Sequence, residues 1–269
     1  MGEDHVVIVT GAAGGLGRAM SLGLLAAGRR VVALDREESA QALDALVATA
    51  KGRDEGARIF AVCGSVRSES DCRRVVAQAV EHFGAVHALV NNAGLGMETI
   101  SLEAMTKGVN FFDVPAEKWT ALIDTNVNGP FLMASAVAPY LIERGWGKII
   151  NVTTSYPTML KNGFSPYGPA KAALESATVI WSKDLKGTGV TANVLIPGGA
   201  ADTAMVPHEA VGDRSTLVRP AVMVAPVTWL TSHASDGVTA HRFVAREWDP
   251  GAADDANVRK AGALAGWLS

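Results

Sequence analysis

Short runs of β-branched and aliphatic residues alternate along the chain with longer stretches in which apolar residues recur every three or four positions. The short runs predict strands near Val6–Thr10, Arg30–Asp35, Arg58–Cys63, Ala88–Asn92, Lys148–Thr153, Thr191–Ile196 and Arg242–Ala245. Several are apolar throughout, the pattern of strands covered on both faces. Between them, Leu16, Met20 and Leu24 share one helix face, as do Val75, Val76, Ala79, Val80 and Phe83. Ser68-Glu-Ser-Asp71 is a capping signal for the second of these helices. Strands alternating with helices predict an α/β fold, a doubly wound parallel sheet of about seven strands with helices on both faces. No repeat, low-complexity tract or linker interrupts the pattern. Residues 1–269 are therefore expected to form a single domain, with 252–269 as a C-terminal tail.

Two segments break the alternation. Leu95–Val114 runs long between a strand and a helix, and a long loop at the carboxyl edge of a parallel sheet is often part of a binding site. The tail ends in Gly-Trp267-Leu268-Ser269. Its two large apolar side chains predict that it packs on its own or a neighbouring subunit.

A formal charge of -3 with no run of Lys or Arg argues against nucleic acid and membrane surfaces as partners. The first strand follows Met1 almost at once, so no signal peptide is expected, and no apolar stretch is long enough to span a bilayer. Cys63 and Cys72 suggest reduced thiols and a cytoplasmic location. His5, His82, His87, His208, His233 and His241 are scattered without ligand spacing, so no metal is expected.

The segment Thr10-Gly-Ala-Ala-Gly-Gly-Leu-Gly17 follows the first strand and opens the first helix. Glycines at 11, 15 and 17 allow a tight turn and close approach of backbone to a pyrophosphate, which the helix N-terminus attracts. Eighteen residues after Gly17, Asp35 ends the second strand. A carboxylate there accepts hydrogen bonds from ribose hydroxyls and repels a 2′-phosphate, favouring NAD(H). Arg36 could pair with that phosphate, which keeps NADP(H) possible, but position 14 is glycine and offers it no basic neighbour.

Tyr167 and Lys171 lie four residues apart, on one face of one helix. An ammonium beside a phenol favours the phenolate and would lower a pKa of about 10 toward the working range.

In these ordered motifs the chain resembles the single-domain branch of the short-chain dehydrogenase/reductase family, over nearly the whole sequence up to Gly251. Thr10-Gly-x-x-x-Gly-x-Gly17 matches its coenzyme turn, with Leu16 inside it. Asn91-Asn92-Ala93-Gly94 matches the motif after the fourth strand, Asn126 the helix asparagine, Tyr167-x-x-x-Lys171 the catalytic pair and Pro197-Gly198 the turn after the sixth strand. The resemblance implies a Rossmann-like fold. It also implies hydride transfer between a nicotinamide cofactor and a small-molecule secondary alcohol or ketone. Tyr167 would exchange the proton, and Lys171 would lower its pKa and hold the nicotinamide ribose. Asn126 would position a relay water, and Thr203 would bind the carboxamide.

The chain departs from the family pattern in three places. Thirteen residues before the tyrosine the family usually has serine; this chain has Thr154, with Ser155 next, and either could be the catalytic hydroxyl. Ser65 and Val66 stand where an acid usually holds the adenine. Thr203 comes one residue later than the common spacing. Met97, Tyr156, Met159, Phe164 and Met205 fall in segments expected to line a largely apolar substrate pocket. A homotetramer is expected, a homodimer being possible, with the long helix around Pro115–Glu143 and the Tyr167 helix at an interface. Two alternative readings are a non-catalytic dinucleotide-binding regulator on the same fold, and a lyase or epimerase that uses NAD transiently.

Overall fold

The structure, a computed structural model, describes residues 4–267. The first half builds β1 Val6–Thr10, α1 Gly15–Ala26, β2 Arg30–Asp35, α2 Ala40–Lys51, β3 Ile59–Cys63, α3 Glu69–Phe83 and β4 Ala88–Asn91. The second half continues through α4 Ala104–Lys107, α5 Ala116–Ile123, α6 Gly129–Arg144, β5 Gly147–Val152, α7 Tyr156–Met159, α8 Tyr167–Asp184 and β6 Val190–Ile196. It closes with α9 Val224–Leu230, β7 His241–Val244, α10 Asp254–Ala261 and β8 Gly262–Leu264.

The strands form one sheet in the order β3-β2-β1-β4-β5-β6-β7-β8. Every pairing is parallel except β7 with β8. β1, β4, β5 and β6 are buried at every position because helices cover both faces, which is why their sequences are apolar runs. Side chains still alternate between the faces. Val7 and Val9 pack with Met20, Leu24 and Leu46 beneath α1, α2 and α9. Val6 and Ile8 meet Val75, Met133 and Val137 beneath α3 and α6. The chain reverses its direction of winding between β1 and β4, and a crevice at the carboxyl ends of the strands is the general ligand position in such sheets.

The expected strands form, differing by about a residue at their ends, where pairing frays. The tail adds an eighth, antiparallel strand, with His241 opposite Leu264. Beyond it Ala265 is buried and the Trp267 ring lies 5.3 Å from that of Tyr156, so the tail packs on its own chain. Leu268 and Ser269 lie outside the described residues. The helix expected over Pro115–Glu143 is interrupted by a π turn at Asp124–Asn128. Pro130 has no N–H to give the carbonyl of Asn126, four residues back, so the regular ladder cannot pass this point. The histidines are less scattered in space than in sequence. His5 lies 5.0 Å from His87, 5.2 Å from His233 and 4.5 Å from Trp146, ring to ring, at the amino edge of the sheet. No cluster of ligating side chains suited to a metal occurs among the described residues.

Candidate active site

At the carboxyl end of β1 the chain turns through glycines that nothing larger could replace. Gly11 has φ +65°, and a Cβ on it would lie 2.9 Å from Ala93 Cα. A Cβ on Gly17 would lie 2.0 Å from the Gly11 carbonyl oxygen. Gly14 caps α1 with no side chain, and the first turn carries no acid, so no capping side chain takes up the first N–H groups of the helix. Side-chain hydrogen bonds fix the turn from behind. Asn92 Nδ2 donates to the carbonyls of Thr10 and Gly11 at 2.9 and 3.1 Å. Thr10 Oγ1 accepts the N–H groups of Asn92 and Ala93 at 3.0 and 2.9 Å. A cradle that a Cβ would fill, beneath a helix N-terminus, fits the pyrophosphate of a dinucleotide.

Asp35 stands beside this turn. Its carboxylate accepts the N–H of Ala13 through Oδ2 and that of Arg36 through Oδ1, both at 2.9 Å, and keeps lone pairs for ribose hydroxyls. The Arg36 side chain is exposed and lies 3.9 Å from Glu38. Glu37 and Asp44 crowd the same end closely enough to help push the Cys63 thiol up, although burial is the larger cause. Farther along the edge, Ser65 Oγ accepts the Arg67 N–H at 3.2 Å, while its own N–H goes to Asp71 at 3.0 Å. Val66 is turned inward, since its side chain fills the space beside Gly129, where a Cβ would lie 2.8 Å from Val66 Cγ2. Its side chain is thus a core residue, and only its backbone remains for a ligand.

Tyr167 begins α8 against the end of β5, with the Thr154 hydroxyl close enough to its phenol to favour the phenolate. Ser155 faces elsewhere. Its oxygen accepts the Thr158 N–H at 3.3 Å and lies 2.8 Å from the Thr158 hydroxyl, capping α7. Lys171, almost fully buried, donates from Nζ to the Val152 carbonyl at 2.9 Å, with Nζ 5.9 Å from the Tyr167 ring centre. Burial pushes the lysine down to about 8. Burial also pushes the phenol up to about 12, the facing Thr154 hydroxyl pulling the other way and the charge of Glu98 adding to the rise. The expected depression of the phenol by Lys171 is thus corrected. The ammonium is directed to a carbonyl and desolvated, and burial of the phenol dominates.

Gly94 brings this pair close to Asn126, since a Cβ there would lie 3.2 Å from Asn126 Oδ1 and 3.5 Å from Lys171 Nζ. The Asn126 side chain is engaged by Leu95. Oδ1 accepts the Leu95 N–H and Nδ2 donates to the Leu95 carbonyl, both at 2.8 Å. It clamps the start of the 95–114 loop. Among the expected pocket residues, Met97 and Phe164 are buried in an apolar cluster with Ile100, Ala104 and Leu122 that packs against Tyr167. Met159 is also buried, and Met205 reaches over Gly96, where a Cβ would lie 2.5 Å from Met205 Cγ. Tyr156 is a correction. Its hydroxyl donates to Glu175 at 3.0 Å and its ring lies under Arg242, so it belongs to a network behind the site instead of the pocket.

That network was invisible to motif reading. Glu175 is fully buried on α8, accepts the Thr153 hydroxyl at 2.9 Å, and pairs with Arg242 Nε at 3.4 Å. Arg242 also donates to the Thr154 carbonyl, tying strand β7 to the residue that faces Tyr167. Across the site, Gly198 and Pro197 end β6, their carbonyls accepting from Arg246 at 3.0 and 3.2 Å. Beyond them Arg214 binds Asp202 at 2.7 Å and the carbonyls of Thr203 and Val206 at 3.1 and 2.9 Å. This holds Thr203 over the glycine turn, its methyl 3.0 Å from the place of a Gly15 Cβ, while its hydroxyl points to the Ala201 carbonyl at 3.5 Å. Neither Arg214 nor Arg242 falls in a recognisable spacing, so no sequence signal points to them.

Comparison with known proteins is consistent with this geometry. A family profile described as short chain dehydrogenase matches residues 5–211. A 3-oxoacyl-[acyl-carrier-protein] reductase of Synechocystis sp. is 33% identical over 194 residues, 72% of this chain and 73% of that protein. A 2-(R)-hydroxypropyl-CoM dehydrogenase of Xanthobacter autotrophicus is 35% identical over 195 residues, 72% of this chain and 74% of that one. Among solved structures, a single-substitution variant of actinorhodin polyketide ketoreductase with NADPH superposes with a TM-score of 0.75 at 27% identity, covering 91% of this chain and 96% of that chain.

Proposed function

The chain belongs to the short-chain dehydrogenase/reductase family, whose chemistry is nicotinamide-dependent oxidoreduction, and on that premise we propose that it is an alcohol dehydrogenase or ketoreductase acting on apolar secondary alcohols and ketones. The observation that carries this reading is the gathering of Tyr167, Lys171 and Asn126 around Gly94, with Lys171 Nζ 5.9 Å from the Tyr167 ring centre and the Thr154 hydroxyl facing the phenol. A bound dinucleotide supplies or accepts the hydride. The chain does the rest. Tyr167, protonated at neutral pH like any phenol and held more firmly so by burial, gives its proton to the carbonyl oxygen in reduction and takes one from the alcohol in oxidation. Thr154 donates a second hydrogen bond to the same oxygen as charge develops on it. Lys171 holds the nicotinamide ribose, and Thr203 turns its hydroxyl to the carboxamide.

Asp35, with Glu37 and Glu38 beside it, favours NAD(H), since a 2′-phosphate would meet three acids and a single exposed Arg36. Met97 and Phe164 in the apolar cluster at Tyr167 support a hydrophobic substrate. Phe131, Tyr140 and Ile142 on α6 and Ile180 on α8 are exposed, which supports assembly through these helices into a homotetramer. No helix among the described residues is long and apolar enough to cross a membrane.

Nicotinamide absorbance with a panel of alkyl and aryl ketones tests the proposal. NADH should be consumed faster than NADPH at matched concentrations. No consumption with any ketone overturns the activity, faster use of NADPH overturns the coenzyme assignment, and a preference for a sugar phosphate overturns the substrate class.

A further inference from the structure

Glu98 lies on the short turn Met97–Thr99 at the start of the 95–114 loop, next to the reacting groups, and has no part in the mechanism above. Its Oε1 accepts the Gly96 N–H at 3.3 Å, and burial pushes the carboxyl up against the pull of its own N–H and that of Gly96. Its Oε2 is buried and accepts no hydrogen bond among the described residues, nor does Glu98 form an ion pair among them. An acceptor buried in this way costs roughly 1–3 kcal/mol, and native proteins seldom keep one without a use. Its position is set from two sides. A Cβ on Gly96 would lie 2.3 Å from Oε2 and 2.5 Å from Met205 Cγ, so the carboxylate folds back over Gly96 to meet the opposite loop. Its charge reaches the phenol of Tyr167, where it opposes ionisation. The turn itself rests on the apolar cluster of Met97, Ile100 and Phe164, none of which can donate to the carboxylate through its side chain.

We propose that Glu98 is the substrate-recognition acceptor for an O–H or N–H donor carried near the reacting carbon, so that the protein selects apolar secondary alcohols and ketones bearing such a group. This rests on the oxidoreductase reading and narrows its substrate class. The donor bonds Oε2, which no described residue bonds, while the remainder of the substrate meets apolar side chains. A site built to bond a donor rejects the analogue lacking it far more strongly than an apolar site rejects a misfit of similar size.

The test uses three secondary alcohols with the same apolar tail: a vicinal diol, its terminal methyl ether, and the corresponding amino alcohol. The intact protein should oxidise the diol and the amino alcohol with kcat/KM at least about tenfold above that of the ether. Glu98→Gln, which keeps an acceptor oxygen and the shape, should retain the preference for the diol and lose that for the ammonium. Glu98→Leu should lose both, bringing the ratios to within about twofold of one. Ratios in Glu98→Leu equal to those of the intact protein, or no preference in the intact protein, would overturn the proposal. If the intact protein oxidises none of the three with either coenzyme, it is the oxidoreductase reading that fails. Calorimetric binding of the diol and the ether to the intact and Glu98→Gln proteins then still decides the role of Glu98. Equal affinity for the two compounds overturns it, and about tenfold tighter binding of the diol supports it.

Discussion

The two halves of the site are held by different forces. The nucleotide half, from the glycine turn to Gly94, is fixed mainly by neutral hydrogen bonds between backbone and the side chains of Thr10 and Asn92, with one charged acceptor, Asp35, on Ala13. The substrate half is fixed by charges: Lys171 on the Val152 carbonyl and Glu175 with Arg242, both taken out of water, and the half-buried pair of Asp202 with Arg214. Neutral networks keep their shape across pH and lose modest amounts when one partner is removed. Buried charges are more exposed to damage, since removing one leaves the other unpaired in a poor solvent. The half that carries the chemistry is therefore the half that single substitutions should injure most.

The largest expected effect lies behind the reacting groups. Arg242→Met leaves Glu175 charged and buried, and should lower unfolding free energy in urea by about 3–5 kcal/mol. Adding Glu175→Gln should restore part of the loss, so that the double variant is more stable than the sum of the two changes predicts. An additive pair would break the contrast. In the nucleotide half, Asn92→Ala removes the donor from two carbonyls of the glycine turn and should cost only about 1–3 kcal/mol. Its NADH affinity, read by fluorescence titration, should fall with the turn. A loss equal to that of Arg242→Met would show the two halves to be built alike.

A further effect is in pH. Lys171 is pushed down to about 8 in the folded protein from an ordinary 10.5. Between those values the unfolded chain binds the extra proton, so this group makes stability rise with pH across that window. Thermal melts of Lys171→Met should lack the part of the rise that the intact protein shows. Identical slopes would mean that the lysine is not desolvated.

The contrast also explains what could be read from the sequence. The nucleotide half was legible because its constraints are steric. Gly11 and Gly17 are forced by backbone contacts of 2.9 and 2.0 Å, and only glycine meets them, so the residue type announces the geometry. The strands were legible because complete burial leaves them continuously apolar. The substrate half was legible only at Tyr167 and Lys171, where one helical turn fixes the spacing. Tyr156 was misplaced because a strand end does not reveal which way the next side chain turns, and its partners, Glu175 and Arg242, come from distant elements. Glu98 reads in sequence as an ordinary surface acid, and its burial depends on a loop fold that no local pattern encodes. The tail strand was missed for a similar reason. Gly262–Leu264 has no strand-like pattern of its own and is ordered by the edge of β7.

The central claim is that Thr154, and not its neighbour, shares the reacting oxygen with Tyr167. Turnover of an apolar ketone with NADH by Thr154→Ala and Ser155→Ala tests it most directly. Losing the Thr154 hydroxyl should lower kcat roughly 100-fold, the scale of removing one donor to a developing oxyanion, with NADH affinity retained. Losing the Ser155 hydroxyl removes a cap worth about 1 kcal/mol of stability and should leave kcat within a fewfold of the intact protein. A collapse of kcat in Ser155→Ala with Thr154→Ala still active would contradict the account.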